Sequence, residues 1–444
     1  MGHTVFALST APGRAGIAVI RVSGPAAGAA LAVLGGPSHP VARRATRVRL
    51  RDPDSGEVLD DGIALWFPAP NSFTGEDVVE LQVHGGKAVI AAILSVLGRQ
   101  AGFSAAEPGE FTRRAFLAGK LDLTEAEGLI DLIEAETEAQ RRQALRQSAG
   151  ELGRLYDGWR VRLVALLAHF EASIDFADED LPADLSGQVN RNILGIVGEL
   201  SQHLDDNRRG ERLRDGVHIA ILGAPNVGKS SLLNLLARRD AAIVSEQAGT
   251  TRDVVEVHLD LGGYPVVLAD TAGIRETADA IEAEGVARAR ARGQDADVKL
   301  VVCDAAWPPD PQSLGMVDGD TILVLNKIDL LPPGAAPVRG PTPALSVCPV
   351  SVRSGAGIDG LLSALGAAVA DRFGLSGAPA ITRQRHRSAI EACRDALLRA
   401  AAASLPELAA EDVRLAVRSL GRITGAVDVE DLLDVIFRDF CIGK

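Results

Sequence analysis

The stretch Gly223-Ala224-Pro225-Asn226-Val227-Gly228-Lys229-Ser230 decides the fold. It follows an apolar strand-like run, Val217 to Leu222, and precedes an apolar helical run, the setting a phosphate-cradling loop requires. In such a turn successive backbone N–H groups surround a β-phosphate, and the helix behind adds its positive N-terminal end. Gly223 and Gly228 permit the close approach, Lys229 can reach the β/γ-oxygens, and Ser230 can ligate Mg2+. The central part of the chain is therefore expected to be α/β.

Reading outward, Gly249-Thr250-Thr251-Arg252-Asp253, Asp270-Thr271-Ala272-Gly273 and Asn326-Lys327-Ile328-Asp329 follow in the order and approximate spacing of a Ras-like G domain. Asp329 can accept hydrogen bonds from the N1–H and 2-amino groups of guanine. Adenine offers neither, so the pattern selects GTP over ATP. Lys327 can lie along the base, Asn326 can tie this loop to the phosphate loop, and Ser351 can back the guanine oxygen through its loop backbone, although Val352 stands where Ala is commoner. Asp270 ends the apolar run Val266 to Ala269, as a carboxylate holding Mg2+ through water should, and Gly273 can turn its N–H to the γ-phosphate. Thr251 is the expected switch ligand for Mg2+, in a segment with Thr250 that orders while the γ-phosphate is present. Ras-like enzymes place a water-orienting Gln where this chain has Ile274. An apolar side chain cannot orient water, so transition-state charge must be met by an arginine, Arg252 or Arg275, or by another cation. The Asn226 amide oxygen offers a hold on a monovalent cation.

Residues 1–118 mix short β-like runs (Phe6 to Leu8, Ile17 to Val22, Ile63 to Phe67, Val78 to Val83) with a helical stretch after Gly86, an α+β pattern. Residues 119–210 read as helical, opened by a T-x-x-E capping box at Thr124 and Glu127 and broken at the acidic, Pro-containing 178–184. Residues 211–372 alternate strand and helix as a G domain does, and 373–444 return to helices. The short C-terminal helical part has little surface to bury alone. One helical domain interrupted by the G domain is therefore favoured over two separate ones.

At 444 residues and 47% hydrophobic composition the chain is ample for several globular cores. Its apolar stretches fall short of the roughly 18–20 residues of a membrane span, and its start lacks the n-region and h-region of a signal peptide. The expectation is a cytoplasmic protein with no membrane partner. Cys303, Cys348, Cys393 and Cys441 form no CxxC, which argues against a disulfide framework or zinc site. A net charge of −13 argues against a broad phosphate-binding surface, so any nucleic-acid grip must be local or shared. Candidate patches are Arg43, Arg44, Arg47 and Arg49, or Arg383, Arg385 and Arg387.

Four further segments extend the pattern: PGRAGIAVIRVSG from Pro12, GIALWFPAPNSFTGEDVVELQVHGG from Gly62, PGEFTRRAFLAGKLDLTEAE from Pro108, and the terminal FCIGK from Phe440. With the G motifs, they make the chain resemble, over essentially its full length, the MnmE (TrmE) family of bacterial tRNA-modification GTPases that act on wobble uridine. The resemblance implies an N-terminal folate-binding-like α+β domain that also dimerises, and a helical domain interrupted by the Ras-like P-loop G domain. It implies GTP contacts from Asn226, Val227, Gly228, Lys229, Ser230 and Ser231, from Ser245, Glu246, Gln247, Ala248, Gly249, Thr250 and Thr251, and from Asp270, Thr271, Ala272 and Gly273. Asn326, Lys327, Asp329, Ser351, Val352 and Arg353 would complete the nucleotide site. K+ would be held by Asn226 with Ser245, Gln247 and Thr250, in place of an arginine finger, as two G domains meet. Mg2+ would be held by Ser230 and Thr251.

Glu282 matches the position that arranges the attacking water, and Cys441 the family's functional cysteine. A 5-formyl-tetrahydrofolate-type one-carbon donor would bind at Arg21, Glu80, Lys120 and Lys444. Arg21 or Lys120 can pair the folate carboxylates, and Glu80 can accept from the pterin. The chain has six lysines among its 46 basic residues, and Lys120, Lys229, Lys327 and Lys444 lie in these segments. There a flexible ammonium is not exchangeable for a guanidinium. The implied function is a K+-stimulated GTPase that works with an MnmG-like flavoprotein, in a heterotetramer, to add a carboxymethylaminomethyl or aminomethyl group to C5 of wobble uridine. The resemblance assigns the flavin to that partner rather than to this chain. The alternative is an RNA-binding regulatory GTPase of ribosome assembly, which would use the same G motifs but not the N-terminal segments or FCIGK. Asp329 disfavours a P-loop ATPase or kinase.

Overall fold

Strands that are apolar along their whole length need both faces covered, whereas strands that alternate apolar and polar residues need one. This chain has both kinds, and they build two different sheets. A computed structural model describes residues 2–38, 40–175, 185–239, 256–270, 296–308, 310–332, 335, 343–374, 377–427, 429–438 and 440–443. They divide into two compact units, one of Met1–Ile130, Tyr156–Val161 and Val417–Lys444, the other of Asp131–Leu155 and Arg162–Ala416.

The first unit holds strands β1 (Thr4–Leu8), β2 (Ala15–Ser23), β3 (Thr46–Arg51), β4 (Val58–Phe67), β5 (Val78–Gly85) and β6 (Phe103–Ala105), in the order β3-β4-β5-β2-β1-β6. All neighbours are antiparallel except β1 and β6. Ala18, Ile20 and Val22 of β2 and Val79, Leu81 and Val83 of β5 share a core with Leu31, Ile93, Val96 and Leu97, from the helices Ala27–Val33 and Lys87–Gly98. Side chains alternate along a strand, so Arg21 and Glu80 emerge on the opposite face, where the register sets them directly across from one another. Near the chain end, Ile442 bridges to Pro108, and Ser9 Oγ donates to the Gly443 carbonyl at 2.8 Å. Gly443 has φ +99°, and a Cβ there would stand 2.1 Å from the Leu8 carbonyl oxygen, so only glycine fits.

The second unit holds β7 (Val217–Leu222), β8 (Glu256–Leu261), β9 (Tyr264–Asp270), β10 (Val298–Asp304), β11 (Thr321–Asn326) and β12 (Ser346–Pro349), in the order β12-β11-β10-β7-β9-β8. It is parallel apart from the β8–β9 pair. Ile219, Ile221, Leu300, Val302, Ile322 and Val324 bury one face, against Leu232, Leu233 and Leu236 of the helix Lys229–Ala237 and Leu361, Leu365 and Val369 of the helix Ile358–Phe373. Ala220, Leu222, Val301, Cys303, Leu323 and Leu325 fill the other. The chain leaves β7 for β9 on one side and then continues through β10 on the other. That reversal opens a crevice beyond the carboxyl ends of β7 and β10, where such sheets take their ligands. The helix Leu185–Leu204, which precedes the sheet, packs on Gln384–Ala402, which follows it.

Several local expectations change. The helix at 123 is opened by Asp122 and Glu125, which bond each other's backbone N–H at 2.8 Å, while Thr124 and Glu127 turn inward and are buried. A second capping box, Thr137 with Gln140, interrupts the expected continuous helical run and starts Glu138–Ser148. Strands β3 and β6 and the helix Ala27–Val33 were not among the expected runs; in β3, Arg47, Arg49 and Arg51 occupy the solvent positions that alternate with Val48 and Leu50. Those arginines do not form a free basic patch. Arg47 and Arg49 both bond Asp61, and the Arg47 hydrogen bond leads in pulling its carboxyl down to about 2. Arg387 is 6% exposed and bonds Asp206 and Glu211, and Arg383 pairs with Asp131, so two of the three arginines of the second candidate patch are engaged within the fold. Among the described residues no helix is long and apolar enough to cross a membrane.

Candidate functional site

The motifs follow the carboxyl ends of β7, β9, β11 and β12, so the sheet gathers at one edge what the sequence scatters over more than a hundred residues. After β7, Asn226 takes a left-handed conformation (φ +62°) with an exposed side chain, and Val227 is buried. Gly228 follows at φ +103°, where a Cβ would stand 2.4 Å from Asn326 Nδ2. Glycine is thus required by the approach of the β11 loop. Lys229 Nζ donates to the Gly223 and Ala224 carbonyls at 2.9 and 2.8 Å, which folds the ammonium back over the loop. Ser230 and Ser231 are exposed in the first turn of the helix behind.

Asn326, 3% exposed at the end of β11, holds three loops together. Its Nδ2 donates to the Val227 carbonyl at 2.8 Å, and its Oδ1 accepts from Val352 N at 3.0 Å. Lys327, at φ +68°, pairs its Nζ with Asp304 Oδ2 at 2.8 Å. Burial alone would raise the Asp304 carboxyl, but the hydrogen bonds from Lys327 and Ala306 and the Lys327 charge hold it below its ordinary value. Asp329 is exposed, and one of its oxygens accepts from Ser351 Oγ at 2.6 Å. Ser351 itself is fully buried and takes the Ser354 N–H at 3.1 Å, while Arg353 is exposed beside it. The arrangement leaves an exposed carboxylate, oriented by a buried hydroxyl, at the rim of the crevice. Sequence reasoning missed Asp304; the signal was there, since it ends an apolar strand as Asp270 does.

Asp270 closes β9, and nothing further is described of its side chain. Ser245, Glu246, Gln247, Ala248, Gly249, Thr250, Thr251, Thr271, Ala272, Gly273 and Glu282 lie outside the described residues, as do Arg252, Ile274, Arg275 and Lys444.

In the first unit Arg21 and Glu80 form an ion pair, with Nε and the terminal nitrogen at 3.0 and 2.9 Å from Glu80 Oε1; the side chains are 20% and 21% exposed. The Arg21 guanidinium lies over the rings of Phe73 and Phe111, 5.4 and 5.6 Å from their centroids. Lys120 is exposed, and its Cε lies 3.5 Å from where a Cβ would stand on Gly75, two residues beyond Phe73. Cys441 is exposed, with its carbonyl 3.5 Å from Gly109 N, whereas the other three cysteines are buried. Burial pushes the Cys303 thiol up to about 11 and the Cys393 thiol to about 12, which suppresses thiolate chemistry there. Among the described residues no group of His, Cys, Asp and Glu is arranged to hold a metal ion by itself.

Two protein families match this chain: the MnmE helical domain over residues 123–441, and the GTP-binding protein TrmE N-terminus over residues 4–120. A tRNA modification GTPase MnmE from Rhodospirillum rubrum is 58% identical over 460 residues, covering 99% of both chains. The mitochondrial 5-taurinomethyluridine-[tRNA] synthase subunit GTPB3 of Homo sapiens is 49% identical over 465 residues, covering 100% of this chain and 94% of its own. Among solved structures, the G domain of the T. maritima FeoB iron transporter is 25% identical with a TM-score of 0.25, covering 34% of this chain and 98% of that one.

Proposed function

The chain belongs to the MnmE (TrmE) family of tRNA-modification GTPases, and from that premise we propose that its crevice hydrolyses GTP in a K+-stimulated cycle coupled to modification of C5 of wobble uridine in tRNA. The observation that carries the reading is Asn326, whose one buried amide joins the phosphate loop, the base-reading loop and the Ser351–Arg353 loop. The loop N–H groups after β7 orient the β-phosphate. Lys229 exchanges the carbonyls of Gly223 and Ala224 for the β/γ-oxygens, and Asp329 accepts from the guanine edge. Glu282 orients the attacking water.

A hard cation takes oxygen ligands, and the exposed Ser230 hydroxyl in the first helical turn fits Mg2+, with Thr251 as the second protein ligand. Bound there, Mg2+ supplies charge neutralisation at the phosphate oxygens. The exposed Asn226 amide, held at positive φ beside the phosphate position, fits K+, completed by Ser245, Gln247 and Thr250. In the first unit, an ion pair one-fifth exposed beside aromatic rings suits a planar ligand that carries both carboxylates and N–H donors. This supports Arg21, Glu80, Lys120 and Lys444 as the site of a 5-formyl-tetrahydrofolate-type donor. An MnmG-like flavoprotein partner, a homodimer, participation of Cys441 and a cytoplasmic setting complete the reading.

Phosphate release by the purified chain in K+ and in Na+, with Asn226→Ala alongside, tests it. Faster turnover in K+ that Asn226→Ala removes is expected; equal turnover in both salts contradicts the cation assignment.

A further inference from the structure

The guanidinium of Arg21 is flanked by rings from two separate segments, and one buried side chain ties those segments together. Phe73 comes from the loop between β4 and β5, and Phe111 from the helix Glu110–Leu117. Arg114 lies one helical turn after Phe111, with its side chain 8% exposed. Its guanidinium donates to Glu76 Oε2 at 2.9 Å, to Glu110 Oε1 at 2.6 Å and to the His3 carbonyl at 3.2 Å. Glu76 is also bonded by Ser23 Oγ at 3.0 Å, and Ser23 meets Thr74 Oγ at 2.7 Å; Ser23 and Thr74 are both fully buried. The segment 73–76 is thus fastened to β2 on one side and to the helix on the other. It also carries Gly75, against which Lys120 rests.

A buried charge cluster of this kind is poor evidence of stabilisation, because desolvating three ions offsets much of their attraction. Its better-attested use is to fix one arrangement of the elements it joins. We propose that Arg114 is a positioning residue for the Arg21–Glu80 site: by clamping segment 73–76 to the helix Glu110–Leu117 it sets the aromatic walls around Arg21 and the seat of Lys120. The inference rests on reading that pair as a reduced-folate site. The hydrogen bonds of Arg114 go to Glu76, Glu110 and His3, and none goes to Arg21. Arg114 acts through Glu76.

The test is calorimetric titration of the full chain with 5-formyl-tetrahydrofolate, at a temperature where each variant keeps the wild-type circular-dichroism spectrum. Arg114→Met should weaken binding about tenfold, the usual scale for losing a side chain that orients a ligand-binding group. Arg114→Lys, which can serve one carboxylate, should recover part of it. Glu76→Gln and Glu110→Gln remove the same charge, but only Glu76 links the two segments, so Glu76→Gln should weaken binding more. A role limited to stability would not produce that ordering. Equal losses in the two Gln variants, or wild-type affinity in both Arg114 variants while Arg21→Ala abolishes binding, overturn the inference and leave the site reading standing. If the unaltered protein gives no binding heat, the site reading falls and the inference with it.

Discussion

The crevice of the parallel sheet and the Arg21 face of the N-terminal sheet are both built from residues distant in sequence, yet they are assembled by different means. In the parallel sheet the described motif residues follow the carboxyl ends of their strands or open the next helix, so each motif is local and the topology aligns them. On the N-terminal face Arg21 and Glu80 stand in mid-strand and meet through antiparallel register, and their walls come from a loop and a helix held by Arg114. The first design is tied together at its strand ends by one buried amide, Asn326. The second depends on packing elsewhere.

Buried bridging groups should therefore matter more in the crevice than the paired charges do on the sheet face. Asn326→Ala leaves the Val227 carbonyl and the Val352 N–H without their partner, and should cost about 3 kcal/mol in denaturant unfolding of the second unit, with guanine nucleotide affinity lost alongside. Arg21→Ala removes a pair that is one-fifth exposed, and should cost only about 1 kcal/mol in the first unit while removing reduced-folate binding. Similar costs in the two variants would break the contrast.

The smallest effect concerns pH. Burial leads in pushing His203 down to about 4, with Arg387 adding to it and Asp206 opposing. The unfolded chain takes up a proton near the ordinary imidazole value, while the folded state resists until about pH 4. This contribution to stability is therefore present above pH 6.5 and is lost as pH falls through that window. By pH 5.5 the second unit should have lost about 1 kcal/mol, and His203→Gln should flatten the slope; an unchanged slope in the variant contradicts the assignment.

The same contrast explains how much was legible. The order of the G motifs and the apolar runs before them give the parallel sheet and the crevice residues, because strand-end placement follows from local pattern. Arg21 and Glu80 carry no such signal, being two charged residues 59 apart whose adjacency is a matter of register, and only family resemblance names them. Arg114 is hidden further, since its partner Glu76 lies in another segment and only its helical spacing to Glu110 is visible in the sequence. Strand β3 escaped because arginines fill its solvent positions. The helix start at Asp122 escaped because two acceptable capping pairs overlap there, and burial of Thr124 and Glu127 decides between them.

In the proposed function the carboxylate of Asp329, oriented by Ser351, makes this crevice specific for guanine. Equilibrium titration of the purified chain with a fluorescent guanosine diphosphate in Mg2+, with GTP and ATP as competitors, tests it most directly. GTP should displace the probe, ATP should not at about 100-fold higher concentration, and Asp329→Asn should erase the difference. Equal displacement by ATP, or unchanged selectivity in Asp329→Asn, would contradict it.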